Sequence, residues 1–307
     1  MLLLRKHILL TLTVCCSLAV AKAQHTFNSN AGPRLHALQD SMIRLTESIQ
    51  AAKENTDRFA VNASLIKTLV TALKIPGSYS FAFDSLKYIS TVKSPDNSFR
   101  IFSWALPTNS GSYRFFGTIQ MATKDGSLKL FPLIDGTAEF KDDNEVTSPK
   151  KWFGSRYYEI VPVVNSGKQT YYALLGWKGN NNKTSKKVIE VLSFNQGEPV
   201  FGKAVFQDSK NSSVKNRIVF EYSKLNSMTL RLDKKVGMIV FDHLAPLSPE
   251  MADHFEFYAS DSSFDAYKPL GGRLKLVENV EVNNDPDTND EFYIDPKNKQ
   301  IPAQKKF

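Results

Sequence analysis

The chain has 307 residues, 42% of them hydrophobic, and its 39 Lys and Arg outweigh 31 Asp and Glu for a formal charge of +8. That length supports one large domain or two modest ones with a full apolar core. The two cysteines are Cys15 and Cys16. A mature chain that starts beyond them carries no thiol, which excludes thiol catalysis, cysteine-ligated zinc, iron–sulfur clusters, c-type haem attachment and disulfide bonds.

Residues 1–23 have the layout of a secretory signal peptide. Arg5, Lys6 and His7 form a basic start, residues 8–20 carry no charge, and Ala21-Lys22-Ala23 supplies the small-x-small cleavage pattern. The uncharged run is shorter than the roughly 20 residues that a membrane-spanning helix needs. The expectation is an exported, soluble protein, periplasmic or secreted, that begins at Gln24 and has no transmembrane span. Lipid anchoring through Cys15 is the alternative, but Val14 is bulky where such a signal places a small residue. Cleavage removes Arg5, Lys6 and Lys22, so the charge falls to +5 over 284 residues. The lysines are dispersed in pairs such as Lys150-Lys151 and Lys234-Lys235. Nucleic-acid binding calls for a clustered basic stripe, so no nucleic-acid partner is expected.

Residues 24–76 read as helical. Leu35, Leu38, Met42, Leu45, Ile49 and Ala52 recur at steps of three and four, with polar residues such as Gln39, Arg44 and Glu47 between them. That is an amphipathic helix with a narrow apolar seam, and Pro33 suits its first turn. A second helix is expected from about residue 57 to 73, with Phe59, Leu65, Ile66, Leu69, Val70 and Leu73 as its apolar set and Pro76-Gly77 as its stop. The seam is too short to establish a coiled coil, so the helix pair is expected to pack on the protein's own sheet.

Residues 77–282 read as an antiparallel β-domain. Met228, Leu230 and Leu232 alternate with Thr229, Arg231 and Asp233, and Ile218, Phe220 and Tyr222 alternate with Val219, Glu221 and Ser223. These are strands with one wet face. Residues 99–104, 113–121 and 171–177 are apolar on both faces and are expected to be central or covered strands. Turn signals separate the runs, among them Ser94-Pro95-Asp96-Asn97, Asp125-Gly126, Asn195-Gln196-Gly197-Glu198 and Gly271-Gly272. About twelve strands at roughly 8–15-residue spacing predict a mainly β fold. It is a large antiparallel meander, whether sandwich, barrel or irregular propeller-like sheet, with an N-terminal helix pair. No fixed repeat period supports a regular propeller. Residues 135–152, with Asp142-Asp143-Asn144-Glu145, read as a long exposed loop, and residues 283–307 as a flexible polar tail.

Ser94-Pro95-Asp96-Asn97-Ser98-Phe99-Arg100-Ile101-Phe102-Ser103-Trp104, preceded by Phe83-Asp84-Ser85-Leu86, resembles a pattern in an uncharacterised family of secreted bacterial β-rich proteins. Tyr172-Ala173-Leu174-Leu175-Gly176-Trp177, Phe220-Glu221-Tyr222 and Phe241-Asp242-His243-Leu244 extend the resemblance over most of the chain beyond residue 23. It implies export and a β-rich fold, and no activity.

Signatures of known chemistry are absent. The sequence contains no Gly-x-Ser-x-Gly elbow, no phosphate loop in which Gly-x-x-x-x-Gly-Lys is followed by Ser or Thr, and no dinucleotide fingerprint, and no cofactor is expected. Asp242, His243, His254 and Glu256 are the ligand types zinc or iron would take, but their spacing fixes no helical pair or hairpin register. Residues 285–291 place oxygen side chains at alternate positions, yet Asp290 and Pro296 stand where a calcium loop wants glycine and glutamate. Glu139, Glu159, Glu190, Glu221 and Asp242 are strand-borne acids from which a glycoside-cleaving pair could be drawn. Aromatics are the enriched class between residues 104 and 177. Trp104, Trp152, Phe153, Tyr157 and Trp177 are the candidate binding residues, and Trp152-Phe153-Gly154 is expected to be partly exposed. Exposed aromatics stack on sugar rings and hold peptides, whereas buried ones fill a core. The leading expectation is a non-enzymatic envelope or extracellular module binding a protein partner or a carbohydrate. The alternative is a secreted polysaccharide hydrolase using two of those carboxylates.

Overall fold

The computed structural model describes residues 31–164, 170–208 and 215–281. The signal segment, the calcium-like stretch at 285–291 and the tail at 283–307 lie outside them. Two helices lead the chain, α1 (Ala31–Ala51) and α2 (Asn55–Leu73). The seam of α1 is as the periodicity predicts, with Leu35, Met42 and Ile49 buried, but Gln39 and Thr46 are buried beside them. Thr46 can sit there because its hydroxyl donates to the Ile43 carbonyl at 2.7 Å within the helix. In α2, Leu65, Leu69 and Leu73 are buried, whereas Phe59 in the first turns faces water. Beyond α2 the chain turns through Gly77, whose φ of 77° lies in the left-handed region that favours glycine.

The β-domain is three sheets. The first is a four-stranded meander in the order β1 (Ser90–Lys93), β2 (Phe99–Pro107), β3 (Tyr113–Met121) and β4 (Leu130–Ile134). The second carries β5 (Arg156–Val164), β6 (Thr170–Gly179) and β7 (Thr184–Asn195) side by side; β8 (Glu198–Phe201) and β10 (Ile218–Ser223) both pair with β7 beyond them. The third runs β11 (Leu230–Asp233), β12 (Met238–Pro246), β13 (Tyr258–Leu270) and β14 (Arg273–Val277), and ends on a two-residue parallel pairing with β9 (Phe206–Gln207). Every other strand pairing is antiparallel, and no sheet among the described residues closes into a barrel.

Three apolar cores order these parts into layers. Leu35, Met42, Ile49, Leu65 and Leu69 of the helices pack on Phe102, Trp104 and Leu106 of β2. The other face of β2 presents Phe99 and Ile101, which with Phe115 and Ile119 of β3 meet Tyr172, Leu174, Val188 and Leu192 of the second sheet. Tyr171, Ala173 and Leu175 of β6 and Ile189 and Val191 of β7 then face Leu230, Ile239, Phe241 and Tyr267 of the third sheet. The order is therefore helices, first sheet, second sheet, third sheet. Strands covered on both faces lose the alternation of a half-wet strand, which is why β2, β3 and β6 read as apolar throughout. Each fully buried large apolar side chain adds about 1.5–3 kcal/mol.

Polar bonds tie the layers at defined points. Trp104 Nε1 donates to Asn62 Oδ1 at 2.8 Å, joining α2 to β2, and the Tyr157 amide donates to Ser103 Oγ at 2.9 Å, joining the first two sheets. Buried Arg100 donates to the carbonyls of Ser78 (2.8 Å) and Phe81 (2.5 Å) and to Gln120 Oε1 (2.9 Å), fastening the segment between α2 and β1 onto the first sheet. Burial pulls its guanidinium down to about 10, Tyr79 opposing. The turn before β2 is built by Ser94, Asp96 and Asn97. Asn97 takes φ 58°, and the Tyr172 hydroxyl donates to Asp96 Oδ2 at 2.6 Å.

Residues 135–152 are not the simple exposed loop that their polar composition suggests. They form two short 3₁₀ turns, Thr137–Glu139 and Pro149–Lys151, and backbone carbonyls between these turns are taken up by Asn216 and Arg217 in the distant segment that leads into β10. Arg217, just before β10, donates from Nη1 to the Glu145 carbonyl at 2.8 Å and to that of Asp143, and Asn216 Nδ2 donates to the Asn144 carbonyl at 2.7 Å. Bridges from Asp135 to Trp152 and from Thr147 to Phe201 complete the attachment.

Candidate functional site

Four of the five aromatics singled out in the sequence are core. Trp152 and Tyr157 have no exposed surface, and Trp104 and Phe153 are 2% exposed. The partial exposure expected for Trp152-Phe153-Gly154 is thus corrected: Phe153 meets Phe140 edge-on at 5.0 Å, and Trp152 Nε1 donates to Tyr157 Oη at 2.8 Å within the interior. Trp177 alone of the five is half-buried, and it lines a cleft of about 330 Å³.

That cleft forms where four separate parts of the fold meet. The C-terminal turn of α1 brings Gln50, the segment before β1 brings Lys87 and Tyr88, the β2–β3 hairpin brings Pro107 and Tyr113, and the β5–β6 pair brings Arg156 and Trp177. Arg156 and Trp177 are cross-strand partners, so one register places both. Trp177 and Tyr113 meet edge-to-face, with ring centroids 5.1 Å apart. Gly179 makes that contact possible, because a Cβ there would lie 2.4 Å from the Tyr113 ring. The Tyr88 hydroxyl donates to the Ala105 carbonyl at 2.7 Å, fixing its ring against the wall. Burial pushes the Tyr88 phenol up, with Arg156 and then Arg58 pulling the other way, so both guanidinium groups act on this corner. Arg58 itself bonds Asn109 Oδ1 at 2.6 Å and the Ala52 carbonyl at 3.0 Å, which locks the turn between the helices to the β2–β3 hairpin.

Arg156 is the least satisfied group of the cleft. Its Nη2 donates to the Lys87 carbonyl at 3.0 Å, while its Nε is buried without a hydrogen-bond partner. No ion pair with a carboxylate holds it among the described residues, and no Asp or Glu lines the cleft. Lys224 lies 5.8 Å from the Tyr113 ring centroid. The arrangement offers two aromatic rings, a guanidinium and an amide side chain to a small polar ligand. A larger depression of about 750 Å³ lies at the far end of the second sheet between Tyr171, Phe194 and Lys203.

Sequence reasoning missed a second polar centre, buried between the first two sheets. Glu190 of β7 accepts from Arg217 Nε at 3.1 Å on both oxygens, and neither side chain is exposed. Burial pushes the Glu190 carboxyl up, against the pull of Arg217. Lys178 of β6 donates to Thr137 Oγ1 at 2.8 Å, to the Gly154 carbonyl at 3.0 Å and to that of Phe153, and burial draws its ammonium down to about 8, with Asp135 opposing. The Phe153 ring centroid lies 4.4 Å from Lys178 Nζ and 4.8 Å from the Arg217 guanidinium. This sealed cluster fastens the 135–155 segment over the second sheet. The only sequence sign of it is that Lys178, Glu190 and Arg217 interrupt or border apolar strands.

The suggested metal quartet does not assemble. Asp242 accepts from the Thr229 amide at 2.7 Å, while His243 sits in the bulge that shifts the β12–β13 register and places Nδ1 2.9 Å from Asp265 Oδ2. That bond pushes the His243 imidazole up. His254 and Glu256 belong to the short turn before β13, where Glu256 pairs with Lys183 at 3.2 Å. No three His, Cys, Asp or Glu side chains among the described residues form a metal-holding group. The strand-borne acids are likewise held by structural contacts. Glu190 is paired as above, Glu159 accepts from the Leu232 amide at 2.9 Å, and Glu221 pairs with Lys186 at 3.1 Å. Glu139, the fifth, lies in a 3₁₀ turn rather than on a strand.

No helix among the described residues is long and apolar enough to cross a membrane. No protein-family model, curated protein or solved structure matches the chain.

Proposed function

We propose that the protein is an exported, non-enzymatic binding module of the cell envelope or extracellular space, and that it takes a carbohydrate in the Trp177 cleft. Export rests on Arg5-Lys6-His7, the uncharged run after it and Ala21-Lys22-Ala23. The observation that carries the binding reading is the cleft itself: Trp177 and Tyr113 in edge contact beside Tyr88, Gln50 and Arg156, with no carboxylate among them. Its volume falls at the low end of the roughly 300–1,000 Å³ of small-ligand sites. Aromatic rings stack on the apolar faces of pyranoses, and the planar guanidinium and the amide bond their hydroxyls. Cleavage of a glycosidic bond would need two carboxyl groups flanking the substrate, and the cleft walls supply none.

Tryptophan fluorescence gives a direct test. Trp104 and Trp152 are sealed in the core, so ligand-dependent quenching reports on Trp177. A glycan array that identifies binders, followed by titration in which Trp177→Phe abolishes the optical signal, is the expected result. An empty array, or quenching that survives Trp177→Phe, overturns the reading. N-terminal sequencing of protein recovered from the exported fraction should begin at Gln24.

A further inference from the structure

We infer that the ligand of the Trp177 cleft is an acidic oligosaccharide, bound with a sugar carboxylate on Arg156 and its ring against Trp177 and Tyr113. The inference rests on the carbohydrate reading above and narrows it. Its ground is the charge balance of the cleft. Two cationic residues, Lys87 and Arg156, line the walls, Lys224 stands over Tyr113, and no acidic residue answers them. A guanidinium is rarely left in this state inside a protein, because a buried donor without a partner costs about 1–3 kcal/mol. Arg156 spends one Nη2 bond on the Lys87 carbonyl, leaves Nε buried and unpartnered, and has no carboxylate partner among the described residues.

Compare the three fully buried cations among the described residues. Arg217 is answered by Glu190, Arg100 by two carbonyls and Gln120, and Lys178 by two carbonyls and Thr137. Arg217 also leaves one nitrogen, Nη2, without a partner, but it is sealed in the core against Glu190; of these cations, Arg156 is the one that has an unpartnered guanidinium nitrogen, no carboxylate and a place on an open cleft. The guanidinium fork matches a carboxylate with two parallel hydrogen bonds, which a hydroxyl cannot reproduce. A neutral sugar would leave that fork unmatched; a uronate residue satisfies it while presenting the same ring face to the aromatics. The exposed Gln50 amide both donates and accepts, and so suits the neighbouring ring hydroxyls.

The test compares trigalacturonate with maltotriose by calorimetry and Trp177 fluorescence on the full mature chain, at low and at high salt. Trigalacturonate should bind at least ten times more tightly than maltotriose, and that preference should shrink as salt rises. Arg156→Gln should weaken trigalacturonate at least ten times more than it weakens maltotriose, so that the preference collapses, with unfolding midpoints confirming that the variant is folded. Arg156→Lys, which keeps the charge but not the fork, should retain only part of the preference. Equal binding of the two sugars, or a preference undiminished in folded Arg156→Gln, overturns the acidic-sugar inference and leaves the carbohydrate reading standing. Binding of hexaglutamate in place of both sugars overturns both.

Discussion

Lys178 makes the buried charge centre measurable through pH. Burial lowers its folded-state value from 10.5 to about 8. An unfolded lysine keeps its proton to higher pH than this one does in the fold. Between these two values the unfolded chain therefore holds more protons, and stability rises with pH. The whole shift corresponds to about 3 kcal/mol, and about 2 kcal/mol of it should be regained between pH 7 and 9.5. Lys178→Met removes this gain. At pH 7 the substitution has opposing effects: it relieves the buried charge but strips the Phe153 and Gly154 carbonyls and Thr137 of their donor. The pH dependence isolates the first effect. Denaturant unfolding of both proteins, followed by tryptophan emission from pH 7 to 9.5, should show the native protein gaining about 2 kcal/mol on the variant. Tyrosines with raised values, such as Tyr157, act in the opposite sense at higher pH but are common to both proteins. Parallel stability curves for the two proteins would refute the reasoning.

Arg217→Met leaves Glu190 buried without its partner and should cost about 3–5 kcal/mol in chemical denaturation. The double substitution with Glu190→Leu should recover most of that loss, yet still expose the 140–147 segment to limited proteolysis, because the Asp143 and Glu145 carbonyls lose their donor. Asn62→Ala should cost about 1–3 kcal/mol by orphaning the buried Trp104 N–H; a loss under half a kcal/mol would show that this bond does not fasten the helices. Burial alone would raise the Asp96 carboxyl, but hydrogen bonds from Tyr172, Ser94 and Ser98 outweigh it and hold it at about 2. Tyr172→Phe should move the Asp96 titration toward the ordinary carboxylate range in an NMR pH series. The stability this group contributes is present above the unfolded value near 3.8 and is lost as pH falls toward 2.

The helix seam was legible because burial on one side imposes a 3.6-residue period, and Leu35, Met42 and Ile49 obey it. The buried Gln39 was not, since a polar residue inside a narrow stripe looks the same whether it meets water or a neighbouring layer. β2, β3 and β6 were legible as covered strands because both their faces are apolar. The 135–152 segment was misread for a physical reason. Its acidic side chains report their own exposure, but its attachment runs through backbone carbonyls, which no side-chain pattern reveals, to Arg217 more than 60 positions away. The metal quartet failed for a related reason: Asp242 and His243 are consecutive, and the bulge at His243 commits each to a different neighbour.

Trp177 was named from the sequence, but in company with four aromatics that turned out to be core. Aromatic enrichment records how much apolar surface a chain carries, not which ring a distant element leaves uncovered. Arg156 and Gln50, the polar half of the cleft, gave no sign at all, because their meaning lies in the absence of an acid nearby in space. Local periodicity and turn chemistry depend on near neighbours in the chain, and these alone determine helices, strands and their covered faces. Which ring stays open and which cation goes unanswered depends on α1, the β2–β3 hairpin and the β5–β6 pair meeting across the layers, and only tertiary packing decides that.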